Sequence, residues 1–296
     1  MQLSQAIRRF LEDCELAQGL APRTIENYEH YLGRFLDFTH NINVGALTDE
    51  HVRTYRLKLN ERELSRATQN YHLVALRALL GWLAKQNIRT LSSERIDLPG
   101  AETIEVNFLD REHLAKLLAA PNLRVQKGKR DQAILETLFS TGLRVAELVR
   151  LDRQEVENRE EVSVVGKGRK RRVVFLSPGA QSAIKTYVAA RTDDDPALFV
   201  RIKRNGESGG RLTPRTIQRL IQGYAAQAGL AEHVTPHTLR HSFGTDLLRS
   251  GADLRSVQAL LGHSSVATTQ RYTHLTDQHL HEVHKAFHGR KRINSK

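Results

Sequence analysis

A chain of 296 residues holds two domains of ordinary size or one large one, and 40% hydrophobic with 26% charged residues is a globular composition, not a disordered one. Lysine and arginine outnumber aspartate and glutamate by 45 to 33, a formal net charge of +12. The surplus is local: residues 1–98 carry 13 basic against 12 acidic side chains, a net +1, and residues 99–296 carry 32 against 21, a net +11. A positive excess confined to one region predicts a polyanion-binding surface, nucleic acid first, over a basic protein without such a ligand. The single cysteine, Cys14, excludes an intramolecular disulfide, a zinc ribbon and a thiolate cluster, and its place in LEDCELA predicts a half-buried helix residue. No stretch approaches the ~20 apolar residues of a membrane span. The acids in MQLSQAIRRFLEDC argue against a secretory signal, so a cytoplasmic protein without a membrane partner is expected.

The first ninety residues read as helices only. After an opening helix, Pro22 and Thr24 start a segment whose apolar positions Ile25, Tyr28, Leu32, Phe35 and Leu36 have helical spacing. Thr48 caps a helix carrying Val52, Tyr55 and Leu59, and Ser65 precedes the most apolar one, ATQNYHLVALRALLGWLAKQ. Residues 87–107, with Ser92, Ser93, Pro99 and Gly100 and no sustained period, read as a linker. Beyond it, Asp110 caps a helix ending near Ala120, and a longer helix runs from about Arg130 to Thr141, where Gly142 stops it. EVSVV and RRVVFL, two β-branched runs around GKGRK, predict a hairpin, with ALFV as a candidate third strand. Ser177-Pro178, Thr213-Pro214 and Thr235-Pro236 each set a cap residue before proline and predict three further helices. The tail from Thr276 reads as helical and then basic.

Three clusters in the basic region hold chemistry-bearing residues. TGLRVAEL, from Thr141 to Leu148, places Arg144 just past the helix-stopping glycine. GKGRKRR, from Gly166 to Arg172, puts five cations in seven residues at the hairpin turn. The third cluster, from Thr235 to Leu275, contains HTLRH, LGH and QRYTH. Singly, each has an ordinary reading: Arg144 as a solvated helix residue, Lys167 as part of an exposed turn, LGH before two serines as a helix stop and the next cap. His237 and His241 share a helix face, but HTLRH lacks the glutamate of a zincin motif and sets a cation between the histidines, so no metal site is read there.

Taken together in this order, the clusters resemble the tyrosine site-specific recombinases and, within them, the Xer-type chromosome-dimer resolvases. The resemblance spans nearly the whole chain, including GLAPRTIENYEHYLGRFLDF, which is similar to the family's core-binding domain. It implies a mainly α, two-domain fold: a four-helix, SAM-like core-binding DNA clamp over residues 1–88, and over 103–288 a mixed, mostly helical catalytic domain with a small antiparallel β-sheet. The matching positions imply a catalytic set of Arg144, Lys167, His237, Arg240, His263 and the nucleophile Tyr272, with neither cofactor nor metal. The linker lacks the common proline-rich form, and the tail after Phe287 is unusually basic.

The chemistry suits these residue types. Charge that builds on the equatorial oxygens of a phosphodiester needs fixed donors, and the planar forks of Arg144 and Arg240 stay charged and bond two oxygens at once. A tyrosine hydroxyl with a pKa of ~10 is barely ionised at neutral pH, so Tyr272 needs nearby cations or a base. His237 is the candidate base and His263 a phosphate donor, with the reverse assignment open; Lys167 is the candidate acid for the leaving oxygen. Glu147, close behind Arg144, reads as a group that orients an arginine. The implied partners are double-stranded DNA with a specific recombination site, other protomers in a homo- or hetero-tetramer on two such sites, a paralogous recombinase and a DNA translocase. A mobile-element integrase of the same family, a type IB topoisomerase and a non-catalytic DNA-binding relative are the alternatives.

Overall fold

Leu3, Ala6, Ile7, Phe10 and Cys14 recur at helical spacing and make one buried stripe on α1 (Leu3–Leu16). This computed structural model describes residues 1–98, 107–166, 171–203 and 207–262, and the chain divides into two compact units, Met1–Thr103 and Ile104–Lys296. Cys14 is fully buried, not half-buried, because it continues the α1 stripe for one more turn. Pro22 sits in the first turn of α2 (Pro22–Thr39), where its missing N–H leaves no gap in the helix ladder. Thr48 caps α3 (Asp49–Glu61) with His51, whose Nδ1 lies 2.7 Å from the Thr48 hydroxyl. Ser65 Oγ accepts the Thr68 amide at 3.2 Å and starts α4 (Arg66–Lys85). The four helices close on Phe10, Phe35, Tyr55, Trp82 and their aliphatic neighbours. Ile88, Leu91, Ile96 and Leu98 pack on the same core, so residues 88–98, expected as linker, belong to the first unit.

In the second unit, Asp110, whose carboxylate accepts the His113 amide at 2.8 Å, caps α5 (Arg111–Ala119). Helix α6 (Gln126–Thr141) starts a turn earlier than expected: the Gln126 side chain donates to the Ala190 carbonyl at 2.9 Å, a tertiary contact that local sequence does not carry. Gly142 ends it in the left-handed region at φ 59°. Two short helices follow, α7 (Val145–Leu148) and α8 (Arg153–Val156).

Strands β1 (Glu161–Val165) and β2 (Arg171–Phe175) pair antiparallel in the register Val162↔Val174 and Val164↔Arg172, with Val162, Val164 and Val174 turned inward. Helix α9 (Pro178–Ala189) packs on α6. The ALFV run does not join that sheet. Ala197 makes an isolated bridge with Asp152, and Val200 opens a second hairpin of β3 (Val200–Ile202) and β4 (Ser208–Arg211). The described residues therefore hold two separate two-stranded sheets, not one. Helices α10 (Pro214–Gln227), α11 (Pro236–Arg249) and α12 (Leu254–Leu261) complete the described chain, and the first two begin at the expected Thr-Pro steps. The architecture is mainly helical with small antiparallel sheets.

Candidate active site

Helix C-termini leave unpaired carbonyls and a partial negative charge, and two of them supply the oxygens of this site. Helix α6 stops at Gly142 and α12 stops at Gly262, both in the left-handed conformation, with φ 59° and 63°. Neither glycine has room for a side chain. A Cβ on Gly142 would lie 2.5 Å from the Phe243 ring, and one on Gly262 would lie 2.9 Å from Arg172 Cδ.

Three arginines fill the ends of these helices. Arg240, on α11, is 3% exposed. It donates to Gly142 O and to Leu261 O, each at 2.5 Å. Arg144 is the N-cap residue of α7, and it reaches Gly262 O at 3.3 Å with one guanidinium nitrogen and Glu147 Oε1 at 3.1 Å with the other. Arg172, on β2, donates through Nε to Leu260 O at 3.3 Å and through its two terminal nitrogens to Glu147 Oε1 and Oε2 at 2.9 and 2.7 Å. The consecutive carbonyls of Leu260, Leu261 and Gly262 thus go to Arg172, Arg240 and Arg144 in turn.

Glu147 binds the cluster together. Its carboxylate accepts from Arg172 twice, from the Arg144 guanidinium, and from the Arg144 backbone amide at 2.9 Å. Burial pushes its pKa up, but the hydrogen bonds and charge of Arg172 and Arg144 outweigh that and hold it at about 2. The Glu147 and Arg172 side chains are 5% and 12% exposed, whereas that of Arg144 is 37% exposed. Arg144 is therefore the guanidinium of the three that is most open to an incoming anion, with Arg240 and Arg172 set behind it in the fold.

His237 lies one turn before Arg240 on α11 and is exposed; its ring meets the buried His241 edge to face, with centroids 4.1 Å apart. The structure brings Arg144 and Arg240 to one helix end, and His237 shares the helix of Arg240. Lys167, His263 and Tyr272 lie outside the described residues. Arg172 was hidden in the sequence as one cation among five. The signal was present: strand alternation sets it on the same face as Val174, and an arginine turned inward must find partners.

Residues 7–90 match the phage integrase N-terminal SAM-like domain, and residues 107–279 match the phage integrase family. The chain belongs to this family, the tyrosine recombinases, which are enzymes that cut and rejoin DNA strands. Tyrosine recombinase XerC of Oceanobacillus iheyensis is 35% identical over 302 residues, spanning 98% of this chain and 97% of that protein. Tyrosine recombinase XerD of the same organism is 32% identical over 301 residues, spanning 97% and 99%. The fold is shared with the XerH site-specific recombinase, whose crystal structure bound to palindromic difH substrate as a post-cleavage complex matches at a TM-score of 0.71 and 23% identity over 94% of this chain and 83% of that one.

Proposed function

We propose that this chain is a site-specific recombinase that cuts DNA through a 3′-phosphotyrosine on Tyr272 and resolves chromosome dimers together with a paralogous partner. The observation that carries this reading is the convergence of Arg144 and Arg240 on Gly262 and Leu261, the helix end from which the chain runs on to His263 and Tyr272. In the reaction, the Tyr272 oxygen attacks the scissile phosphorus as its proton passes to His237 or His263. The phosphorus–oxygen bond to the 5′ side breaks, and Lys167 protonates the departing 5′ oxygen. Arg144 and Arg240 offset the negative charge that grows on the non-bridging oxygens. A 5′ hydroxyl from a second duplex then displaces Tyr272, so the bond energy is kept in the phosphotyrosine and rejoining draws on neither ATP nor a metal ion.

The dimer-resolution role and the assembly of four protomers on two DNA sites rest on likeness to the proteins named XerC and XerD over nearly their full lengths. The +11 excess of residues 99–296 assigns most phosphate contacts to the second unit, with affinity falling steeply as salt rises. The test is a nicked suicide substrate carrying the target site, incubated in EDTA. The wild-type chain gives a denaturation-resistant adduct through a 3′ phosphate, and Tyr272→Phe gives none while still binding DNA. An adduct in that variant, or one mapped by mass spectrometry to another tyrosine, overturns the assignment.

A further inference from the structure

Arg172 belongs to no part of the chemistry just described, yet it bonds the carboxylate that also receives Arg144 and the end of the helix whose carbonyls Arg144 and Arg240 bond. Its two terminal nitrogens occupy both oxygens of Glu147 at 2.9 and 2.7 Å, and its Nε holds Leu260 O at 3.3 Å. Its side chain also lies against the Gly262 backbone so closely that a Cβ there would meet Arg172 Cδ, Nε and a terminal nitrogen at 2.9, 3.1 and 3.3 Å. Arg172 follows directly on the turn that carries Lys167 in sequence, touches the helix end from which the chain continues to Tyr272, and grips the carboxylate that also receives Arg144.

The competition for Glu147 is the telling feature. A carboxylate and a guanidinium left alone pair through two parallel bonds. Here Arg172 takes that two-bond geometry, and the Arg144 guanidinium is left with one longer bond of 3.1 Å to Oε1, its other terminal nitrogen turned to Gly262 O. We infer that Arg172 is a positioning residue: by occupying Glu147 it prevents Glu147 from capturing Arg144, and by bonding Leu260 O and packing on Gly262 it fixes the start of the segment that bears the nucleophile. The inference rests on the proposed reading that Arg144 meets the scissile phosphate. Without Arg172, Glu147 closes on Arg144 as a two-bond pair, neutralises it and draws it off the substrate.

Single-turnover adduct formation on the suicide substrate tests this, with affinity for the intact site and the melting temperature measured alongside. Arg172→Ala is expected to form adduct roughly 10–100-fold more slowly than wild type, with site affinity within twofold of wild type. A second change, Glu147→Gln, removes the charge that captures Arg144, so Arg172→Ala/Glu147→Gln is expected to be faster than Arg172→Ala alone. A purely structural role for Arg172 gives the opposite order, the double variant being equal or slower, and that result overturns the inference. Adduct formation at the wild-type rate in Arg172→Ala overturns it as well, while leaving the recombinase reading intact. No adduct in the wild type overturns both. If Arg172→Ala does not melt cooperatively, Arg172→Lys, which keeps charge and stem but cannot span both oxygens, is read by the same criteria alone and with Glu147→Gln.

Discussion

The guanidinium of Arg240 donates to the carbonyl of Gly142 at 2.5 Å, across 98 positions of sequence. A buried cation thus takes up a carbonyl just past the helix end, and the carbonyl in turn gives that cation a partner out of reach of water. The turn at Gly142 serves both ends of this exchange. Its left-handed backbone aims the carbonyl at Arg240, and its bare Cα lets Phe243 and Leu261 close over it.

Gly142→Ala therefore carries two penalties, about 1 kcal/mol for the backbone conformation and ~1–3 kcal/mol for forcing a methyl against packed side chains. Gly229→Ala, at φ 70° with open space around it, carries only the first. Urea unfolding should separate the two variants, with Gly142→Ala the less stable by at least ~1 kcal/mol.

A second buried network ties α6 to α10 and to β3. Arg130 donates to Asp131 Oδ1 and to Val200 O, and the Tyr224 hydroxyl donates to Asp131 Oδ2 at 2.9 Å. Removing the anion strands a buried cation, so Asp131→Ala should lower stability by ~3–5 kcal/mol. Tyr224→Phe leaves one carboxylate oxygen short of a single bond and should cost ~1–2 kcal/mol. Denaturant midpoints at fixed slope give both numbers.

In the first unit, His72 is buried with its Nδ1 2.9 Å from the Tyr55 hydroxyl. Burial, assisted by the charge of Arg34, lowers its pKa from 6.5 to about 4. Its neutral form is the folded form, so the unfolded chain takes up the proton first as pH falls. The stability it lends is complete above pH 6.5 and is lost on acidification down to about 4, a change on the order of 3 kcal/mol. His72→Gln removes that titration. The difference in unfolding free energy between wild type and variant should shift across this window and stay flat above it.

Glu147 works in a lower window. Its pKa falls from 4.5 to about 2, so the stability it supplies is present above pH 4.5 and is lost as pH drops toward 2, again on the order of 3 kcal/mol. Against Glu147→Gln, the wild type should lose its advantage between those two values. A constant difference would mean that the carboxylate is not held by Arg172 and Arg144 in solution.

Local signals account for most of the helices. Pro22, Thr48, Ser65, Ser177, Thr213 and Thr235 mark starts that the fold uses, because capping and the fixed φ of proline act over a single turn. The β3–β4 hairpin has no strand signature in the sequence because Ser208–Arg211 carries two glycines and no β-branched residue. Residues 88–98 read as linker because Ile88, Leu91, Ile96 and Leu98 follow neither a helix nor a strand period, although each finds the first core. In the site, Arg144, His237 and Arg240 stand out through their motifs, and Glu147 reads as a group that orients an arginine. Their remaining partners do not, because backbone carbonyls have no sequence signature and Arg172 lies 25 positions from the Glu147 it bonds.

The span of these contacts also sets a timetable for the protein's birth. Arg144 waits for Gly262, 118 residues later, and the Leu109 amide waits for Ser242 Oγ, 133 residues later. A ribosome adding ~5–20 residues per second exposes Arg144, Glu147 and Arg172 well before the Leu260 and Gly262 carbonyls that the two arginines also bond. A nascent chain held near DNA thus carries the cations that attract it but not the pocket that aims them. The arginine cluster is assembled only once α12 has cleared the ribosome.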